Sequence, residues 1–236
     1  MNDSLHVWIT GASRGIGAAI AQVLGETHRC TLSGRNAESI DQVAMILPGD
    51  HAAAVVCDVA DMTSVRKAHT AAVERFGPVD VLVNNAGIGI FKPLLDLSDQ
   101  EFEDTIDINL KGIFNCLRVV LPSMKHRRQG MIITMNSIAA VTNYAGCTVY
   151  GASKAGALAL TRSLRTEVRD YGVKVVDLLV GATSTDIWDA KARDEFADRM
   201  MSALDVAHQV DDIVRGFSNP RTHIEELVLR PQRGDL

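Results

Sequence analysis

A tyrosine and a lysine four residues apart are the pair in this 236-residue chain whose types and spacing best suit acid–base chemistry. Tyr150 and Lys154 stand in the stretch YGASK, and a spacing of four places two side chains on the same face of a helix. Bringing a tyrosine pKa from about 10 to near neutrality costs roughly 3–4 kcal/mol. One cation about 5 Å away, at an effective dielectric constant of about 20, supplies about 3 kcal/mol. The spacing therefore predicts that Lys154 lowers the pKa of Tyr150.

A glycine-rich turn is the second candidate for chemistry, because it could hold phosphate groups. The stretch Thr10–Gly17 reads TGASRGIG, with glycines at positions 11, 15 and 17. Glycines let the backbone turn tightly and approach a pyrophosphate, and the N-terminus of the following helix favours negative charge. The spacing differs from the common G-x-G-x-x-G fingerprint. A structural turn without a ligand therefore remains an alternative at this point.

The end of the second predicted strand bears on which dinucleotide would bind. Folds that bind NAD usually place an acid there for the ribose 2′-hydroxyl, but Ser33–Asn36 carries none. Arg14 and Arg35 instead offer guanidinium donors that suit a phosphate group. The pattern favours NADP(H) over NAD(H), with simple solvation at the surface as the alternative for each arginine.

The elements that must position these residues alternate along the chain. The predicted strands are Leu5–Thr10, Arg29–Ser33, Ala52–Cys57, Val79–Val83, Met131–Met135, Val173–Val180 and Glu226–Leu229. The predicted helices are Gly15–Gly25, one after Asn36, one capped by Asp61 and running to Phe76, an amphipathic stretch over Asp99–Arg128, and Val149–Asp170. Apolar strands that alternate with helices predict an α/β fold with a doubly wound parallel β-sheet of about seven strands and helices on both faces. We expect one domain over residues 1–236.

Composition excludes several classes of protein. Hydrophobic residues make up 47% and charged residues 22%, which is typical of a globular protein, and a net charge of −5 argues against a nucleic-acid partner. Four scattered cysteines without a C-x-x-C pair indicate reduced thiols, and the histidines show no metal-ligating spacing. Met1–Thr10 lacks the pattern of a signal peptide, and no apolar run approaches the roughly 18 residues of a membrane span. We expect a soluble, cytoplasmic protein without a metal.

The chemistry-bearing residues occur together and in a fixed order. They are Thr10–Gly17, Asn84–Gly87 (NNAG) after the fourth strand, Asn109, Ser137 after the fifth strand, and Tyr150 with Lys154. This array resembles the short-chain dehydrogenase/reductase family over essentially the whole chain, and the length matches its compact single-domain branch. The resemblance implies a Rossmann-type fold and the transfer of a hydride between NADP(H) and a carbonyl or alcohol substrate.

The resemblance also implies a role for each residue that matches the family pattern. Tyr150 would be the general acid/base, Lys154 would lower its pKa and hold the nicotinamide ribose, and Ser137 would hydrogen-bond the substrate oxygen. Asn109 would hold a water in a proton relay. The implied cofactor contacts are Gly11, Ser13, Arg14, Gly15, Ile16, Gly17, Arg35, Asp58, Val59, Asn85, Ala86, Gly87, Tyr150, Lys154, Thr183 and Thr185. Taken alone, Asn109 fits a helix interior, Ser137 a strand end and Asp58 a helix cap.

The segment after the sixth predicted strand departs from the family pattern. Val180–Thr185 (VGATST) lacks the usual proline before Gly181 and has Thr183 where a valine is common, so the loop is less rigid at its start. The resemblance implies that a loop at about 183–202 covers the substrate. The expected pocket wall comprises Ile90, Asn143, Tyr144, Cys147 and Trp188.

The leading interpretation is an NADP(H)-dependent carbonyl reductase or alcohol dehydrogenase for a small to medium substrate. A 3-oxoacyl thioester reductase is the alternative enzyme, although Glu225–Leu236 lacks the Gly-Gly ending typical of that group. A catalytically silent NADP(H)-sensing protein is the alternative of another class. Small residues on the predicted helix from Val149, and the way relatives pair subunits there, favour a homodimer or homotetramer.

Overall fold

A parallel sheet forms the centre of the computed structural model, which describes residues 4–235. Its strands are β1 (His6–Thr10), β2 (Arg29–Gly34), β3 (Ala52–Val56), β4 (Val81–Asn84), β5 (Gly130–Ser137), β6 (Val173–Val180) and β7 (Glu226–Leu229). Within the described residues the seven strands pair in the order β3-β2-β1-β4-β5-β6-β7, and every pair is parallel. The predictions for Met1–Thr10 and Glu225–Leu236 extend at residues 1–3 and 236 beyond the described residues.

Helices connect the strands in the alternation that the sequence predicts. They are α1 (Gly15–Gly25), α2 (Ala37–Met45), α3 (Met62–Phe76), α4 (Asp99–Ile106), α5 (Gly112–Arg127), α6 (Thr148–Val168), α7 (Ala190–Glu195) and α8 (Ala203–Arg215). Asn36 and Asp61 cap α2 and α3, because each side chain accepts hydrogen bonds from the first turn of its helix. The predicted doubly wound α/β fold is confirmed.

The structure corrects the predictions at a long helix and at one strand, and it adds a helix that was not predicted. The stretch Asp99–Arg128 is two helices joined by a π-helical turn at Asp107–Lys111, through which the helical apolar pattern continues unbroken. Strand β4 begins at Val81 rather than at Val79. Helix α8 was not predicted, although Ser202 and Asp205 form a capping box at its start.

Apolar side chains cover both faces of the sheet. Along β1, Val7 and Ile9 belong to one buried cluster, which α1 and α8 cover, whereas Trp8 belongs to a second cluster beneath α3 and α5. This alternation is the period of two that a strand imposes on its side chains. Both clusters fix the strands in register, so the carboxyl ends of β1, β2, β4, β5 and β6 meet at one edge. The strand order changes direction between β1 and β4, which is where such folds form a ligand crevice.

Candidate active site

A cavity of about 750 Å³ opens at this edge and is lined by most of the residues predicted from the sequence. They are Gly11, Ser13, Arg14, Gly15, Ile16, Arg35, Asp58, Val59, Asn85, Ala86, Gly87, Ser137, Tyr144, Cys147, Tyr150, Lys154, Thr183, Thr185 and Trp188. Of the remaining predicted residues, Gly17 and Asn109 lie behind the lining. Ile90 and Asn143, expected in the pocket wall, are not part of the lining either. Their chain neighbours Phe91 and Tyr144 do line the cavity, and Tyr144 was itself expected there.

The glycine turn is held against the loop that follows β4. The side-chain amide of Asn85 donates to the carbonyl oxygens of Thr10 at 3.0 Å and Gly11 at 2.9 Å. Gly11 has a φ of +65°, and a Cβ there would lie 2.7 Å from the Cα of Ala86. A Cβ on Gly17 would lie 2.3 Å from the carbonyl oxygen of Gly11. Glycine is therefore required at both positions for backbone to approach backbone.

The donors around the turn suit a phosphorylated dinucleotide. Ser13, Arg14 and Arg35 line the cavity beside the end of β2, where the chain carries no carboxylate. The Arg14 guanidinium is 71% exposed and lies 3.4 Å from the Asp186 carboxylate. Exposed guanidinium groups remain available to an anion, so this end of the cavity fits an NADP(H) phosphate by its chemistry.

Lys154 is buried beside Tyr150, on the same helix. Its ammonium group donates to the carbonyl oxygen of Met135 at 2.8 Å and lies 5.8 Å from the centre of the Tyr150 ring. Burial lowers the pKa of Lys154 to about 8. An ammonium group has three donors, and among residues 4–235 this one has a single hydrogen-bond partner. Its remaining donors fit the hydroxyl groups of a ribose.

The predicted lowering of the Tyr150 pKa is wrong for this structure. Burial raises the pKa of Tyr150 to about 12, while its side-chain interaction with Ser137 acts in the opposite direction. The estimate from spacing omitted the cost of removing a phenolate from water, and that cost is the largest influence on the Tyr150 pKa here. Tyr150 is therefore a protonated phenol near neutral pH.

Ser137 lies at the end of β5, next to a buried network of hydrogen-bonded polar side chains. The side-chain oxygen of Asn136 accepts from the Ser137 backbone N–H at 2.9 Å, and its amide donates to Asp177 at 3.3 Å. Asp177 is fully buried and also accepts from Thr161 and Arg165. Burial raises the pKa of Asp177 to about 6. This network fixes the strand end that carries the Ser137 hydroxyl.

Asn109 is fixed by hydrogen bonds inside the protein, and the water relay that the resemblance implies for it stays a prediction. It lies in the π-helical turn, fully buried, and its amide donates to the carbonyl oxygen of Ile88 and to the Ser153 hydroxyl. Its side-chain oxygen accepts from the Ile88 backbone N–H. Both amide hydrogens are thus used inside the protein, which leaves only acceptor capacity for a water. In this structure Asn109 braces the loop after β4.

Aromatic side chains and one carboxylate shape the other end of the cavity. Phe91 stacks on Trp188 with ring centres 5.3 Å apart and meets Tyr150 edge to face at 5.3 Å. The Tyr144 hydroxyl donates to Asp235 at 2.6 Å, and both residues line the cavity. No sequence motif points to Asp235, because it follows β7 and joins the site only through the tertiary fold.

The described residues contain no group of three or more histidine, cysteine or acidic side chains placed to bind a metal ion. In the part of the chain that the structure describes, no helix combines the length and the apolar character needed to cross a bilayer.

Comparison with known proteins identifies the family. The protein-family model described as short chain dehydrogenase matches residues 5–195 of this chain. The sepiapterin reductase of Chlorobaculum tepidum is 35% identical, over 97% of this chain and 96% of its own length. The 3-oxoacyl-acyl-carrier-protein reductase of Staphylococcus aureus is 36% identical, over 84% of this chain and 82% of its own length.

Solved structures agree with this assignment. An alcohol dehydrogenase from the archaeon Thermococcus sibiricus, complexed with 5-hydroxy-NADP, superposes with a TM-score of 0.89 at 30% identity, covering 99% of both chains. The chain therefore belongs to the short-chain dehydrogenase family, as its sequence motifs implied. It is an oxidoreductase of the class that acts on CH–OH and C=O groups.

Proposed function

We propose that this protein is an NADP(H)-dependent carbonyl reductase that converts a small to medium carbonyl compound into an alcohol. One observation carries the proposal: Ser137, Tyr150 and Lys154 line the same cavity as the glycine turn. A dinucleotide whose phosphates lie on that turn would extend along the strand ends towards Tyr150. The reduction would then take place beside Tyr150, between the cofactor end and the substrate end of the cavity.

In the proposed mechanism the chain's own residues orient the carbonyl and supply the proton. The bound cofactor supplies a hydride. Ser137 and Tyr150 hydrogen-bond the carbonyl oxygen, and Tyr150 gives its proton to that oxygen as the alcohol forms. The raised pKa of Tyr150, about 12, keeps the phenol protonated beforehand, which suits the direction of reduction. The Lys154 ammonium then stabilises the phenolate that remains.

The cavity lining supports the proposed preference for NADP(H). Arg14 and Arg35 would bind the 2′-phosphate of NADP(H), since no carboxylate stands at the end of β2 to repel it. Asp58 and Val59 would border the adenine. Asn85–Gly87 would line the adenosine ribose, and Thr183 and Thr185 would lie towards the nicotinamide.

A loop at about 183–202 is proposed to cover the substrate. Its two ends are tied together, because the Ser184 N–H donates to the Met201 carbonyl oxygen at 2.9 Å and Thr183 forms a bridge with Met201. Between these ends, Ile187 and Trp188 line the cavity. The loop therefore presents apolar surface to a substrate while its base stays fixed to the sheet.

The proposal is tested by following absorbance at 340 nm with NADPH and with NADH. The substrates are aldehydes, ketones, diketones, sepiapterin and an acetoacetyl thioester, and Tyr150→Phe is measured in parallel. We expect faster turnover with NADPH, and near loss of turnover in Tyr150→Phe. Binding of NADPH without turnover of any carbonyl would instead support the NADP(H)-sensing alternative. Preference for NADH would contradict the roles given to Arg14 and Arg35.

A 3-oxoacyl thioester reductase is the second candidate, favoured by the similarity to the Staphylococcus aureus protein. The same assay separates the two, because a thioester reductase would turn over the acetoacetyl thioester far faster than free ketones.

We also propose a homodimer or homotetramer. Phe102 on α4 and Phe114 on α5 are 50% and 43% exposed, so apolar surface is available for a second subunit. Light scattering on the purified protein measures the mass directly, and a monomer would contradict the proposal.

A further inference from the structure

A carboxylate that the proposed chemistry does not use lines the substrate end of the cavity. One oxygen of Asp235 (Oδ2) accepts from the Tyr144 hydroxyl at 2.6 Å and pairs with the Arg230 guanidinium. The other oxygen (Oδ1) is buried and has no hydrogen-bond partner among residues 4–235. A buried polar atom without a partner is costly, so a ligand that supplies a donor would be favoured there.

The position of this carboxylate is fixed from several sides. The backbone carbonyl of Asp235 accepts from Arg199 at 2.6 Å, and Arg230 also donates to the Thr142 hydroxyl at 3.4 Å. Burial and the neighbouring Asp235 raise the pKa of Tyr144 to about 12, so Tyr144 stays a phenol that donates to the carboxylate. Asp235 is thereby oriented before any substrate binds.

Aromatic rings line the same cavity as this carboxylate and as the reacting end of the site. Phe91 contacts both Trp188 and Tyr150, and these rings share the cavity lining with Tyr144 and Asp235. Aromatic side chains favour stacked or edge-to-face contact with another ring. A planar ring lying against Phe91 and Trp188 would have Tyr150 and Asp235 as its polar neighbours.

We propose that Asp235 binds an N–H group of the substrate, and that the substrate is a planar, nitrogen-bearing ring compound whose carbonyl is reduced at Tyr150. This inference rests on the proposed carbonyl reductase function. An ionised carboxylate only accepts hydrogen bonds, so it selects a donor. Its charge strengthens the bond, and a compound with a methyl group in place of the hydrogen leaves the oxygen unpaired.

Two pairs of substrates test this selection, and they differ in the distance between the carbonyl and the nitrogen. Isatin carries a ring N–H and N-methylisatin does not; 3′-aminoacetophenone carries an amino group and 3′-(dimethylamino)acetophenone lacks its hydrogens. We expect kcat/KM to favour the N–H member of at least one pair by about 10- to 100-fold, the range for a hydrogen bond to a charged group. Equal kcat/KM within both pairs would overturn the proposal.

Variants at Asp235 show whether the carboxylate causes the preference. Asp235→Asn keeps an acceptor without the charge, and Asp235→Leu removes the acceptor, so the kcat/KM ratio should fall stepwise towards 1. Using a ratio cancels any loss of folded protein. The control is Asp212→Asn, on α8, whose side chain is 68% exposed and outside the cavity lining. It should keep the wild-type ratio, and an unchanged ratio in Asp235→Leu would contradict the proposal.

A binding measurement separates this inference from the proposed function. Titration calorimetry with isatin and NADP⁺-saturated protein should give a dissociation constant about 10-fold higher or more for Asp235→Leu than for the wild type. If this holds and no carbonyl is reduced, the reductase function fails and the donor site stands. If carbonyls are reduced without any N–H preference, the donor site fails and the function stands. The same titration is made with 3′-aminoacetophenone, and the donor site is overturned if neither compound binds more tightly to the wild type than to Asp235→Leu.

Discussion

The two ends of the cavity are built in different ways. At the cofactor end, the backbone of the turn 10–17 approaches that of the loop 84–87 at Gly11, and the Asn85 side chain donates to two carbonyl oxygens of the turn. At the substrate end, Phe91, Tyr144, Trp188 and Asp235 come from distant parts of the chain and meet through side chains. The comparison teaches that backbone contacts leave a compact sequence motif, whereas side-chain contacts between distant segments do not.

The largest expected effect comes from Tyr150, which lies between the cofactor end and the substrate end of the cavity. Tyr150→Phe removes the proton donor and should lower kcat about 10³-fold, within the range for a positioned acid. The dissociation constant for NADPH should change less than about threefold, because the glycine turn is untouched. Steady-state kinetics and fluorescence titration with NADPH measure the two quantities. A parallel loss of NADPH binding would show that the two ends are not separable.

Gly11→Ala tests the backbone contacts of the cofactor end. The alanine would be strained at a φ of +65° and would approach Ala86, so kcat/KM for NADPH should fall about 100-fold through displacement of the turn. Gly49→Ala is the matched control, since its φ is +56° but its Cβ would meet nothing within 4 Å. Its kcat/KM should stay at the wild-type value while its Tm falls slightly. Equal kinetic losses in both variants would show that backbone strain alone matters.

The pH dependence of kcat/KM tests the pair formed by Tyr150 and Lys154. The pKa of Lys154 is lowered to about 8, so its charge is lost as the pH rises through that value, whereas Tyr150, at about 12, stays protonated. We expect kcat/KM for carbonyl reduction to fall about tenfold per pH unit well above pH 8. Initial rates between pH 6 and 10 measure this profile. A rate that is constant to pH 10 would contradict the role given to the Lys154 charge.

The smallest expected effect concerns the cofactor phosphate. Arg35→Ala removes an exposed guanidinium, so the preference for NADPH over NADH should fall about fivefold. Arg66→Ala, at an exposed position outside the cavity lining, should leave the preference unchanged. The kcat/KM values with both cofactors give the comparison. An unchanged preference in Arg35→Ala would leave Arg14 and Ser13 as the phosphate ligands.

Local chemistry made most of the fold predictable. Val173–Val180 and Glu226–Leu229 were predicted with their observed bounds, because apolar strands bounded by turn residues are local patterns. Asp61 was predicted as a cap for the same reason. The π-helical turn that holds Asn109 left no such signal, since the helical pattern continues through it.

Burial explains what the sequence could not show at the site. Spacing placed Lys154 near Tyr150 correctly, but it carried no information on how deeply both would be buried, and burial sets both pKa values. Asp235 reaches the cavity only after the chain has completed β7, so its contact with Tyr144 depends on the whole tertiary fold.

The most direct test of the account is transfer of the hydrogen itself. The protein is incubated with NADPH deuterated at both C4 positions and with the carbonyl compound that it reduces fastest, and the product is examined by mass spectrometry and NMR. The account predicts one deuterium on the former carbonyl carbon, formed by the wild type and nearly absent with Tyr150→Phe. An alcohol without deuterium, or no alcohol from any carbonyl compound, would contradict it.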